Sequence, residues 1–203
     1  MAARSAPRRA QSGVTLVELM IGIAITLITL GIAVPSFSQW LQSTQVRTAA
    51  ESILNGLQLA RTEAVRRNVP VRFQLTEDNG AVAWRVGCVT VLDDCPAQIQ
   101  ARVAAEGTPN ARVGANAVAL PSPVPANHFS AALTAGDGVP GGVSFDSLGR
   151  VVAANTGTDL TRIDVINAAR ADARRLVVTI SPGGQVRMCD PSLSLASSPA
   201  GCS

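Results

Sequence analysis

One carboxylate in this sequence stands where a carboxylate is expensive. Glu18 lies inside the apolar stretch of residues 14–37, and no charged residue follows it from position 19 through 46. At bilayer depth an acid costs roughly 2.5–3.5 kcal/mol on insertion scales, and less near an interface. Such a group either sits solvated at a headgroup boundary or has a cationic partner. The other residues able to do chemistry are few. His128 is the only histidine, placed among proline-rich loops as a surface residue, and no Gly-x-Ser-x-Gly elbow accompanies it. Cys88, Cys95, Cys189 and Cys202 lack the paired Cys-x-x-Cys spacing of a zinc site. Asp93 and Asp94 beside Cys95 read as a solvated loop tip. All 17 basic residues are arginine, so lysine Schiff-base and P-loop chemistry are excluded. No catalytic residue, metal or cofactor is expected.

The elements that position Glu18 follow from composition and charge. A chain of 203 residues suffices for one ordinary domain with an appended element. With 47% hydrophobic and 15% charged residues it is not a disordered charged tail. Four Phe, two Trp and no Tyr leave few stacking platforms for single-stranded nucleic acid. The net charge of +3 comes from Arg4, Arg8 and Arg9; from Val14 onward arginines and acids balance, 14 against 14. A basic tip before an apolar run is a topogenic signal. About 20 apolar residues cross a bilayer as a helix, so residues 14–37 are long enough, with the tip remaining cytoplasmic.

The string Ser12-Gly13-Val14-Thr15-Leu16-Val17-Glu18-Leu19-Met20 closely resembles the prepilin signature of type IV pilins and type II secretion pseudopilins. The resemblance implies cleavage between Gly13 and Val14 by a membrane prepilin peptidase, with N-methylation of Val14. It makes Glu18 the fifth mature residue, where the family carries its glutamate, and Pro35 the twenty-second, where many members carry a helix-bending proline. The departure is Val14, where phenylalanine is usual. A freshly exposed amine at Val14 gives Glu18 its cation: the carboxylate of one subunit neutralises the amine of a neighbour in low dielectric and sets the assembly register.

Beyond the apolar run the helix becomes one-sided. Val46, Ala50, Ile53, Leu57, Ala60 and Ala64 recur at intervals of three and four, a single apolar stripe. One helix is therefore expected over residues 15–68, on the order of 80 Å at 1.5 Å per residue, ended by Val69-Pro70. Arg66 and Arg67 complement the macrodipole at its end. From Val71 the period is two. Val71, Phe73 and Leu75 form one strand; after a turn at Asn79-Gly80, Val82, Trp84, Val86 and Cys88 form a second. Residues 106–142 read as loops around short strands, one of them at 112–120. Further strands are expected at 143–146, 150–153, 160–166, 174–181 and 185–189, in a largely antiparallel sheet because the connections are short.

The segment Leu57-Gln-Leu-Ala-Arg-Thr-Glu-Ala-Val-Arg-Arg-Asn-Val-Pro-Val resembles a narrower group, the FimT/FimU minor pilins and GspH minor pseudopilins. Gly142-Val-Ser-Phe-Asp-Ser-Leu-Gly-Arg150 and the stretch from Val177 to Arg187 resemble the C-terminal domain of the same group. The implied fold is α+β and pilin-like: a long N-terminal helix packed on a mostly antiparallel β-sheet head. The implied organisation is a leader at 1–13, a transmembrane helix half at 14–37, an amphipathic half at 38–68 and a periplasmic head at 69–203. The protein would sit in the bacterial inner membrane by a single pass and then enter a filament. Its implied partners are other pilins, the prepilin peptidase and the inner-membrane assembly platform.

The implied function is that of a minor pilin assembling into a type IV pilus. The alternatives are a GspH-type pseudopilin of type II secretion and a DNA-capturing pilus component. Some FimT-type pilins take DNA through basic residues in a C-terminal Gly-Arg-x-Arg/Lys turn. Here that stretch reads Gly184-Gln185-Val186-Arg187; Arg187 is kept, the first basic residue is Gln185, and Arg174 and Arg175 would add positive potential. Four cysteines allow three pairings. In an exported, oxidising compartment, Cys88–Cys95 would close a short loop and Cys189–Cys202 would pin the tail.

Overall fold

The computed structural model describes residues 13–152, 159–170 and 172–203, with side chains throughout these except at residues 32–36. The basic tip and leader residues 1–12 lie outside the described residues. The chain divides into two compact units, Met1–Gln39 and Trp40–Ser203. Helix α1, Leu16–Arg67, begins in the first and ends in the second.

In the first unit the helix is apolar on every side, with Leu16, Val17, Met20, Ile23 and Leu27 all exposed. Two of its described hydroxyls are satisfied within the helix. Thr26 donates to the Gly22 carbonyl at 2.7 Å, and Thr29 to the carbonyls of Ile25 and Thr26 at 3.0 and 2.9 Å. A helix facing lipid requires this, since hydrocarbon supplies no partner. Among the described residues no helix is long and apolar enough to cross a membrane; the expected span of 14–37 includes residues 32–36, whose side chains are not described. Pro35 is among them, within α1.

In the second unit α1 buries the expected stripe completely: Val46, Ala50, Ile53, Leu57, Ala60 and Ala64, joined by Ala49. The helix ends at Arg67 because Asn68 turns into the left-handed region, φ 55°, which asparagine tolerates at a helix C-terminus. Val69-Pro70 then leads into the first strand.

Eight strands follow: β1 Val71–Leu75, β2 Trp84–Cys88, β3 Gln100–Arg102, β4 Ala111–Asn116, β5 Gly142–Phe145, β6 Arg162–Asn167, β7 Leu176–Ile180 and β8 Val186–Cys189. They form two four-stranded sheets rather than one, ordered β3-β2-β1-β5 and β4-β6-β7-β8. Every neighbouring pair is antiparallel. β1 alternates buried and half-buried residues as its period of two requires. Its register with β2 runs from Val71↔Cys88 to Leu75↔Trp84. The hairpin is therefore wider than a two-residue Asn-Gly turn. The Ala83 carbonyl still accepts the Thr76 N–H at 3.1 Å, and ahead of it Ala81 bridges to Arg112 of the other sheet.

One expected strand does not form. Residues 150–152 run back along β5 through the bridge Phe145↔Val151 and the hydrogen bonds Asp146 N–H to Arg150 O and Val152 N–H to Ser144 O at 2.8 and 2.9 Å, too short a pairing to make a strand of its own, and Ala153 lies outside the described residues. Asp146 takes over the backbone here. Its Oδ1 accepts the Leu148 and Arg150 N–H groups at 2.9 and 2.8 Å and holds the tight turn that brings the chain back onto β5.

The main core joins the helix stripe to Val71, Phe73, Trp84, Val86, Val113, Phe145, Ile163, Val165, Val178 and Ile180. A second cluster, Phe129, Val177, Cys189 and Cys202, with Leu120 and Val124 against it, anchors part of the 117–141 loop.

Candidate functional site

The start of α1 is built by Thr15 and Glu18, three positions apart. Thr15 lies just outside the helix, and its Oγ1 accepts the Glu18 N–H at 3.2 Å while its carbonyl accepts the Leu19 N–H at 3.1 Å. Thr15-Leu-Val-Glu18 is thus an N-cap with an acid at its third helical position. The spacing Thr15-x-x-Glu18 carries that cap in the sequence, where Glu18 stands out by its charge and Thr15 does not. Gly13 and Val14 precede the cap, are exposed and belong to no element, and a side chain at Gly13 would meet nothing within 4 Å.

Glu18 itself is exposed and, among the described residues, has no hydrogen bond or ion pair from its carboxylate. It lies at the head of a shallow, open groove along one face of α1, lined by Val14, Leu19, Gly22, Ile23, Thr26 and Leu27. Gly22 gives that groove its floor, since nothing lies within 4 Å of where its Cβ would be. Small residues of this kind let a second helix approach closely in lipid. Val14 and Glu18 therefore share one face with an otherwise uncharged seat.

In the head unit the conserving theme is internal pairing of charge. Asp164 is fully buried; Arg162 donates to it at 2.7 and 2.8 Å and Arg175 at 2.5 Å, while the Leu133 N–H adds a fourth bond at 3.1 Å. Arg162 also stands over the Phe129 ring, 5.1 Å from its centroid. The 129–133 segment is tied to sheet β4-β6-β7-β8 by this network.

The type of head is decided by its sequence. The family described as Type II transport protein GspH matches residues 49–184. The chain belongs to this family. As a GspH-family protein it also carries the prokaryotic N-terminal methylation motif, matched over residues 8–34. It is a minor pilin or pseudopilin, a structural subunit of a type IV pilus or type II secretion system that assembles with other pilins in a filament, and its N-terminal motif is consistent with membrane anchoring. Solved structures similar to it include the type IV minor pilin FimU of Pseudomonas aeruginosa PAO1, 18% identical, covering 76% of this chain and 95% of that one at a TM-score of 0.47. Another is the minor pseudopilin EpsH from the type 2 secretion system of Vibrio cholerae, 12% identical, covering 73% and 99% at a TM-score of 0.43. No curated protein matches the sequence.

The remaining candidates of this GspH-family chain fall as follows. Cys88 is bonded to Cys95 and Cys189 to Cys202. Arg174 donates to Asp190 at 2.6 Å, and Arg175 to Asp164 and to the carbonyls of Phe129 and Ser130. Arg187 donates to the carbonyls of Pro199 and Gly201 at 3.0 and 2.5 Å. All three guanidinium groups thus hold acceptors of the head itself. Arg66 and Arg67 both pair with Glu63, at 2.6 and 2.7 Å. The Arg66 hydrogen bond is the main cause that holds the Glu63 carboxyl below its usual range. Arg67 also reaches the Asp94 carbonyl. His128 is half-buried rather than on the surface, edge-on to Phe129 with ring centroids 4.9 Å apart.

Sequence reasoning also missed a polar clasp at the base of the head. Gln42 Oε1 accepts from Asn167 at 2.7 Å and Asn110 at 3.2 Å, and Gln45 Oε1 accepts the Asn110 N–H at 3.3 Å. No local motif announces it, because its members are far apart in the chain.

Proposed function

We propose that this chain is a minor type IV pilus subunit. It is held in the inner membrane by a single pass over residues 14–37 with residues 69–203 on the periplasmic side. It is cut between Gly13 and Val14 by the prepilin peptidase and methylated at Val14. The observation that carries the reading is the groove headed by Glu18. A carboxylate with no partner of its own borders Val14, at the head of an apolar seat with a glycine floor.

Cleavage places an ammonium group at Val14. The exposed, irregular Gly13–Val14 segment lets a peptidase reach the scissile peptide before the capped helix begins. At the inner boundary of the hydrocarbon an unpaired Glu18 carboxylate still carries part of the insertion cost. When the assembly platform brings a neighbouring stem into the groove, its Val14 ammonium neutralises Glu18, and the pairing fixes the stagger between stems. Pro35 removes one backbone donor from α1 and gives the stem a place to bend. The internal engagement of Arg174, Arg175 and Arg187 supports an architectural part for them rather than a phosphate-binding one.

The family match to GspH favours a second reading, a minor pseudopilin of type II secretion. Both readings share the cleavage and the Glu18 chemistry and differ in the filament built. The decisive experiment is a deletion strain complemented with wild type or Glu18→Gln. Surface piliation, secreted enzymes and DNA uptake are scored together, and the processed N-terminus is read by mass spectrometry. Loss of pili with secretion intact, restored by wild type and not by Glu18→Gln, is the expected result. Loss of secretion with normal pili assigns the pseudopilin. An exported chain that keeps its first thirteen residues in a strain with working peptidase refutes both.

A further inference from the structure

We infer that Trp40 is an interfacial anchor: in the subunit waiting in the membrane, its indole lies in the phospholipid headgroup and carbonyl layer of the outer face and fixes how far the stem is inserted. The inference rests on the membrane-spanning reading proposed above and adds the depth at which the stem stops.

Three observations bracket the position. The apolar run ends at Phe37, followed by Ser38 and Gln39. Residues 18–38 at 1.5 Å per residue rise about 30 Å in a helix, the thickness of the hydrocarbon layer. With Glu18 at the inner boundary, Ser38 reaches the outer one. On the other side, the head takes hold of the helix at Gln42, through Asn110 and Asn167. That polar clasp belongs in water. Only residues 38–41 remain between hydrocarbon and head, and Trp40 is the large side chain there that the fold leaves most open, at 61% exposed.

The contrast with the second tryptophan sharpens the point. Trp84 is 4% exposed in the core and donates its indole N–H to Ser52 at 2.9 Å. A tryptophan is large, apolar and carries one donor, so folded chains bury it and satisfy that donor, or place it where one end is dry and the other wet. Trp40 is exposed, so the second environment is the one open to it. Indole rings concentrate at headgroup level for this reason, and no charged residue appears on the helix until Arg47 to compete for the role.

The two tryptophans make the test direct. The full chain is reconstituted into phosphatidylethanolamine–phosphatidylglycerol vesicles carrying nitroxide labels at the headgroup, at acyl position 5 or at acyl position 12. Buried Trp84 supplies an unquenched background, which the Trp40→Phe variant measures and subtracts. The Trp40 emission is expected to be quenched at least about twofold more by the headgroup and position-5 labels than by the position-12 label, and this preference is absent from Trp40→Phe. A chain that floats with the vesicles while Trp40 is untouched by every label, or is quenched most by the deep one, overturns the anchor and leaves the membrane reading standing. A chain that does not float with the vesicles overturns both.

Discussion

Gly56 of α1 stands directly over the ring of Phe73 on β1: a Cβ at Gly56 would lie 2.8 Å from Phe73 Cε2 and 3.2 Å from the Trp84 ring. Phe73 is fully buried, and its ring centroid lies 5.8 Å from that of Trp84. A glycine inside a helix costs about 1 kcal/mol relative to alanine, so its presence here is explained by the close approach of helix to sheet. Gly56→Ala recovers that propensity and pushes two packed rings apart, at a cost of about 1–3 kcal/mol for overpacking. The expected net result is a less stable head, read as a lower urea midpoint of the detergent-solubilised chain. Gly56→Leu is expected to lower it further.

The buried carboxylate of Asp164 answers two arginines, and its loss strands both. In Asp164→Asn the guanidinium groups of Arg162 and Arg175 keep their burial and lose their counter-ion. Breaking one side of a buried pair costs about 3–5 kcal/mol. Because the 129–133 segment is fastened through this carboxylate, amide hydrogen exchange is expected to rise first at Leu133 and its neighbours. Unchanged exchange there with unchanged stability would remove Asp164 from this role.

Much of this architecture was legible in the sequence, for reasons that differ by element. The helix stripe and β1 were readable because their burial follows a local period. Glu18 was readable because a single charge among 28 uncharged successors needs a cause. β3 was not, since of Gln100, Ala101 and Arg102 only the arginine is buried, and its guanidinium is held by Val82 O and Thr108 Oγ1 at 2.8 and 2.9 Å. A buried arginine in a short edge strand has no sequence period. The division into two sheets follows from which strands pair, β1 with β5 and β4 with β6, long-range pairings that local patterns do not encode.

The tail of residues 190–203 has little core of its own and is held at both ends. Cys189–Cys202 closes it, the Asp190 N–H donates to the Ala200 carbonyl at 2.7 Å, and Arg187 grips Pro199 and Gly201. For a loop of this size the chain-entropy contribution of a disulfide is about 3 kcal/mol. Replacing both cysteines by serine is expected to cost about 2–3 kcal/mol and to open residues 191–201 to limited proteolysis, with cleavage sites read by mass spectrometry. The Cys88/Cys95 double serine variant should leave the tail resistant, since that bond closes a separate loop at the far end of α1.

Two buried acids of the head respond to acid in opposite directions. For Asp190, burial pushes the carboxyl up, but hydrogen bonds from the Ser192 hydroxyl and N–H, together with Arg174, more than offset it and hold the group below its ordinary 3.8. A depressed folded value means stability that is present in full above 3.8 and lost as pH falls through the lower folded value. For Asp159, burial dominates and raises the carboxyl above 3.8 despite the Ser144 N–H and Arg72; among the described residues its Oδ2 has no hydrogen-bond partner. That group penalises the fold above its raised value, and the penalty fades as pH falls toward 3.8. Asp190→Asn is therefore expected to flatten the loss of stability on acidification, and Asp159→Asn to steepen it. The other depressed carboxyls, Glu63, Asp146 and Asp172, are common to both variants, so urea midpoints measured from pH 6 to pH 3 isolate the two contributions. Parallel curves for wild type and Asp190→Asn would show that the Ser192 and Arg174 bonds do not hold this carboxylate in its charged form.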